Sequence, residues 1–227
     1  MIAILGSGVA LGTAWAATRP SSGRIRAVAV MVGDSNEALP ATEVAAELLN
    51  RDNGYAVVNI SRPGATIRAP DCAWNNHTCA SYDFWQHRLA DARARIAPDA
   101  WIVDLGINDT VRAGSANGPG YANYAAKIDW LLAQLGKGRV LWTNLPCKIE
   151  PANRARGCAA VNAALADAPA RHANLTVIDW AGVANGHRDY LGPADTFGAV
   201  HLTVRGRVAW AHLVATRLDA LFPNPSG

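Results

Sequence analysis

The chain has 227 residues, half of them hydrophobic and 17% charged, with a formal net charge of +3. This fits one globular domain with a sizeable core and excludes a disordered chain. The charge is too small for a nucleic-acid-binding surface, and there is no run of like charges and no internal repeat.

Residues 1–17 are almost wholly apolar and end in Ala14-Trp15-Ala16, the small-x-small pattern of a cleaved export signal. The run falls short of the about 20 residues of a membrane span. No Lys or Arg precedes it, so it reads as an export signal or an uncleaved N-terminal anchor. The glycines of "GSGVALG" imitate a dinucleotide fingerprint. Their spacing is wrong, however, and Pro20 would break the helix that must follow. Residues 18–24, "TRPSSGR", form a linker, and residues 25–227 form the domain.

Apolar runs rich in β-branched residues predict strands at 25–32, 55–60, 100–105, 139–145 and 175–178. They lack strict alternation, as expected of strands buried on both faces. Helices are predicted at 41–49, 81–96, 121–135, 158–172 and 204–221. The alternation implies a three-layer α/β/α fold with an open parallel sheet, and its five strands fit the flavodoxin-like order 2-1-3-4-5. Ligands bind such sheets beyond the carboxyl ends of the strands, where the order reverses. Here the reversal lies between strands 1 and 3.

Polar motifs converge on that edge. Gly33-Asp34-Ser35 follows strand 1, Gly64 in "SRPGAT" follows strand 2, and Gly106-Ile107-Asn108-Asp109 follows strand 3. His201, in "GAVHLT", stands just before the last helix. A serine hydroxyl needs a base within hydrogen-bond reach and donors for the oxyanion of acyl transfer. Ser35 is the candidate nucleophile and His201 the candidate base. The Ser35 N–H, the Gly64 N–H and the Asn108 amide are the candidate oxyanion donors. Singly, each has an ordinary role in a cap or a turn. An ordered set, each member at the end of a different strand, is much less expected by chance.

This set resembles the SGNH (GDSL-type) hydrolases, whose four signature blocks read here as Gly33-Asp34-Ser35, Gly64, Gly106-Ile107-Asn108-Asp109, and His201-Leu202-Thr203 with Gly206 behind. The resemblance runs from residue 25 to the C-terminus. It implies esterase or acyl-transfer chemistry on the residues named, with no metal or organic cofactor. Two departures stand out. "GDSN" occurs where Leu often follows the serine, and Gly198 occupies the place, three residues before the histidine, where the family carries an aspartate. The nearest upstream acid is Asp195. Either Asp195 orients His201 through a longer loop, or a backbone carbonyl does so and the chemistry runs on a Ser–His dyad. The segment "PDCAWNNHTCASYDFW" is similar to exported SGNH domains attached to sugar O-acyltransferases, which implies a cell-envelope glycan.

Cys72, Cys79, Cys147 and Cys158 do not have zinc-site spacing. An even count behind a signal-like segment reads as two disulfides. In the expected order the ends of strands 2 and 4 lie about 14 Å apart at ~4.8 Å per strand, whereas a disulfide needs Cα atoms within about 7 Å. Cys72–Cys79 and Cys147–Cys158 are therefore the expected pairs. No G-x-S-x-G elbow, H-E-x-x-H or phosphate-binding loop is present.

The expected protein is an exported, monomeric serine esterase acting on a small-molecule, glycan or lipid O-acyl ester, with no nucleic-acid partner. Membrane contact is expected only through an N-terminal anchor. The alternatives are an O-acyltransferase using the same residues and a non-catalytic glycan- or lipid-binding domain. Trp74, Trp142, Tyr190 and Phe197 are equally candidates for a substrate groove and for the core.

Overall fold

The first strand shows how one apolar run serves two cores. Ala27, Ala29 and Met31 of β1 (Ala27–Gly33) pack into one buried cluster, and Val30 and Val32 pack into another. Successive side chains leave a strand on opposite faces, so a strand covered on both sides is apolar throughout. The computed structural model describes residues 25–38, 44–52, 54–68, 84–112, 121–147, 152–187, 189–192 and 201–223.

After β1 come α1 (Ser35–Ala38), α2 (Val44–Asp52), β2 (Tyr55–Asn59), α3 (Phe84–Arg95), β3 (Ala100–Asp104) and α4 (Ile107–Arg112). They are followed by α5 (Tyr121–Leu135), β4 (Arg139–Thr143), α6 (Ala152–Asp167), β5 (Leu175–Ile178), α7 (Trp180–Asn185) and α8 (Val204–Leu221). The five strands form one parallel sheet in the order β2-β1-β3-β4-β5, as the sequence predicts. Ala29 sits in register with Val57 of β2 and with Ala100 of β3.

Helices α3, α5 and α6 cover one face through Leu89, Ala92, Tyr124, Ile128, Leu131, Val161 and Leu165. Helices α2 and α8 cover the other through Leu49, Trp210, Ala211, Val214 and Leu218. Arg26 ties the start of β1 to the end of α8, donating to the Phe222 carbonyl at 2.6 Å. No helix among the described residues is long and apolar enough to cross a membrane.

Several boundaries differ from the predicted ones. The first strand begins at Ala27, not at residue 25, and β2, β3 and β4 end one or two residues early. The helix expected at 158–172 runs instead over Ala152–Asp167. Its first turns are too polar to show an apolar period. It stops where a 3₁₀ turn over Ala168–Ala170 takes in Pro169, which has no N–H to continue the helical ladder. Helices α1, α4 and α7 were not anticipated, because six residues or fewer carry too little periodicity to be seen.

Candidate active site

At the carboxyl end of β1 the chain turns sharply from strand to helix. Gly33 is the last strand residue, Asp34 is buried, and Ser35 opens α1. The Asp34 carboxyl accepts the Asn36 N–H at 3.0 Å, which fixes the turn. The Ser35 Oγ then lies 3.0 Å from Nε2 of His201, 166 residues away in sequence.

His201 is held from both sides. Its carbonyl accepts the Gly192 N–H at 2.7 Å, and the Thr203 N–H donates to the Tyr190 carbonyl at 2.9 Å. These bonds flank an antiparallel bridge between Leu191 and Leu202. The Leu202 N–H donates in turn to Asn36 Oδ1 at 2.9 Å. Thr203 caps α8, its Oγ accepting the Gly206 N–H at 3.1 Å. The clasp needs a glycine at 206, because a Cβ there would lie 2.1 Å from the Tyr190 carbonyl oxygen.

The loop after β2 reaches the same edge. The Arg62 N–H bonds the Gly33 carbonyl at 3.0 Å, and Gly64 adopts a φ of +76°, a left-handed conformation that favours glycine. The Ala65 carbonyl then accepts Nδ2–H of Asn108, from the first turn of α4, at 3.0 Å. The same Nδ2 donates to Asp34 Oδ2 at 3.2 Å. Ser35, Asn108, His201 and the Gly64 turn therefore meet at the predicted switch point.

Sequence reasoning passed over the residues that brace this edge. Asp109 accepts the Ile67 N–H at 2.9 Å, locking the Gly64 loop, while its other oxygen accepts a bond from Lys127 of α5 at 3.0 Å. The available signal was Lys127 among the apolar positions of "YANYAAKIDWLLAQL", where it is buried. Asp104, at the end of β3, accepts the Thr143 hydroxyl at 2.7 Å. With Asn36, Trp180 and Leu202 it lines a cavity of about 10 Å³, room for one water. Asp34 is itself electrostatically perturbed. Burial and then the charge of Asp104 hold its carboxyl well above the usual carboxylate range, against the pull of the Asn36 and Ser35 N–H groups.

Of the four aromatic residues considered for a groove, Trp142 belongs to the core, with its Nε1–H bonded to the Leu105 carbonyl at 3.1 Å. Tyr190 is half-buried and stacks with Trp180 and with His187, at ring separations of 6.0 and 4.3 Å. Cys147 and Cys158 form the expected disulfide, with Cα atoms 5.5 Å apart. Asp195, Trp74, Phe197, Cys72, Cys79 and the N-terminal segment lie outside the described residues.

The model of the GDSL-like lipase/acylhydrolase family matches residues 28–209, most of the chain. The chain belongs to that family. This member of the GDSL-like lipases and acylhydrolases is a carboxylic ester hydrolase. No curated protein matches it in sequence.

Solved structures share the fold of this GDSL-like hydrolase at low identity. A lipase/acylhydrolase from Enterococcus faecalis is 17% identical with a TM-score of 0.59, over 85% of this chain and 95% of that one. An acetylxylan esterase from Geobacillus stearothermophilus is 16% identical with a TM-score of 0.61, over 85% and 94%. An aryl esterase from M. smegmatis is 16% identical with a TM-score of 0.60, over 86% and 99%.

Proposed function

We propose that this chain is an exported serine esterase that hydrolyses a small O-acyl ester through an acyl-enzyme on Ser35. The observation that carries the reading is the 3.0 Å contact between Ser35 Oγ and His201 Nε2, beside the amide of Asn108. His201 takes the hydroxyl proton at Nε2, which requires Nδ1 to carry the ring's other hydrogen. The Ser35 oxygen adds to the ester carbonyl. The N–H groups of Ser35 and Gly64 and the Asn108 amide take the oxyanion. His201 then gives its proton to the departing alcohol and later activates the water that frees the acyl group.

Export is supported by the Cys147–Cys158 disulfide, since such bonds persist in oxidising compartments. It is also supported by the signal-like residues 1–17. A glycan-borne acetyl ester is the substrate class we favour, because one protein of the same fold is an acetylxylan esterase. We assign the orientation of His201 to Asp195.

Turnover of p-nitrophenyl acetate by the wild type and by Ser35→Ala tests the reading. The wild type should turn over and the variant should not. Binding of glycan or lipid by a wild type without turnover would replace the reading with that of a binding domain. Acyl transfer to added sugar in preference to water would make it an acyltransferase. For Asp195→Asn we expect a loss in kcat of about 10⁴, the scale seen when an orienting acid is neutralised. A loss within about threefold would leave a Ser35–His201 dyad.

A further inference from the structure

Gly64 and Asn108, two of the assigned oxyanion donors, stand on different loops, so the hole exists only while one loop is held against the other. Two bonds cross between the loops. Nδ2–H of Asn108 donates to the Ala65 carbonyl at 3.0 Å, and the Ile67 N–H donates to Asp109 Oδ2 at 2.9 Å. The Ala65 N–H closes the turn around Gly64 by bonding the Arg62 carbonyl at 3.1 Å. Asn108 is a poor anchor for this frame. Its amide nitrogen has two protons, and one must go to the oxyanion. Asp109 has no assigned part in the chemistry, and it is buried.

What holds Asp109 is Lys127. Its Nζ donates to Asp109 Oδ1 at 3.0 Å, and the lysine is only 7% exposed. On α5 it stands one turn from the buried Tyr124 and Leu131, with Nζ 5.9 Å from the centroid of the Tyr124 ring. Packing alone gives no reason for an ammonium here. Apolar residues that fill the same space often match or better a buried ion pair in stability. The consequence of the pair is geometric. The ammonium takes one carboxylate oxygen and leaves the other aimed at Ile67, as a charge-assisted acceptor. Without this counter-ion the buried carboxylate would take up a proton or turn away. Either change loosens Ile67, and with it the Gly64 turn.

We propose that Lys127 is a positioning residue: its ammonium, acting through the Asp109 carboxylate, fixes the Gly64 turn against Asn108 and so sets the spacing of two oxyanion donors. This rests on the esterase reading above.

The test is kinetics on p-nitrophenyl acetate for the full chain, Lys127→Met, Asp109→Asn and the double variant, with melting temperatures taken alongside. Inhibition by phenylboronic acid, which forms a tetrahedral adduct on an active serine, reports the hole directly. Lys127→Met should lower kcat by about 10–100-fold, the scale of a small misplacement near the chemistry, with KM little changed. The boronate should bind weaker by a similar factor, since it resembles the transition state. Both residues act through one carboxylate, so their effects on kcat should not add, and the double variant should be no worse than the more impaired single one. A folded Lys127→Met variant with native kcat and native boronate inhibition overturns the proposal. So do losses that multiply in the double variant. If Lys127→Met alone does not fold, the double variant, which leaves no uncompensated buried carboxylate, is compared with Asp109→Asn. Equal kcat is expected, and a further loss overturns the proposal. A wild type without Ser35-dependent turnover would overturn the esterase reading itself, and this proposal with it.

Discussion

Asn36 Oδ1 accepts the Leu202 N–H at 2.9 Å, so the residue after the candidate nucleophile holds the residue after the candidate base. One buried amide thereby fixes the separation of two chain segments 166 residues apart. Asn36→Ala would leave the buried Leu202 N–H without this acceptor, a cost of about 1–3 kcal/mol. We expect the melting temperature to fall by roughly 2–4 °C per kcal/mol lost. We also expect kcat to fall by about 10–100-fold with KM nearly constant, since small misplacements of reacting groups are this costly. Steady-state kinetics beside a thermal melt would show both, and a native kcat would remove Asn36 from the register of the pair.

Asn108→Ala should lower kcat by about 10²–10³ and change KM little, because the amide is assigned to the oxyanion and not to the ground-state carbonyl. If Asn108 only shapes its loop, the Ala65 and Asp34 bonds are what is lost. The result would then be a lower melting temperature with near-native kcat.

Gly206→Ala places a methyl group 2.1 Å from the Tyr190 carbonyl oxygen. Backbone, and not a flexible side-chain end, must move. The segment that moves carries the Tyr190 bond to Thr203, two residues past His201. Overpacking of this kind costs about 1–3 kcal/mol. We expect a loss of several degrees in melting temperature, at about 2–4 °C per kcal/mol, together with loss of turnover. A stable variant with full activity would show that the clasp does not position His201.

The Cys147–Cys158 disulfide spans 11 residues of separation. Loop-closure entropy gives it about 3 kcal/mol of stabilisation. Cys147→Ser with Cys158→Ser should melt about 6–12 °C lower, at roughly 2–4 °C per kcal/mol, while retaining kcat well below the transition. Melting curves of the double variant against wild type check this. An unchanged midpoint would mean that the Asn162 bonds to the Leu145 N–H and carbonyl hold the segment unaided.

The layered fold was legible because buried parallel strands must be apolar on both faces, and that leaves runs such as "AVAVMVG" that local reading detects. The observed strand order is the flavodoxin-like one that five alternating strands fit. Short helices and exact ends were not legible. The end of α6 is set by Pro169, but its beginning, like all of α4 and α7, depends on packing that no local period records.

The same division runs through the site. By itself the sequence determined which groups stand at the sheet edge: Ser35, Gly64, Asn108 and His201 each follow a strand, and the order of the strands carries them to one rim. Only the tertiary structure decided what supports them. The bonds from Asn36 to Leu202 and from Asp109 to Ile67, and the register that sets Asp104 beside Gly33, join residues 166, 42 and 71 positions apart. Hydrogen bonds and charges act over a few ångströms of space. Their partners are therefore fixed by how the chain is folded back on itself and leave no trace in local spacing.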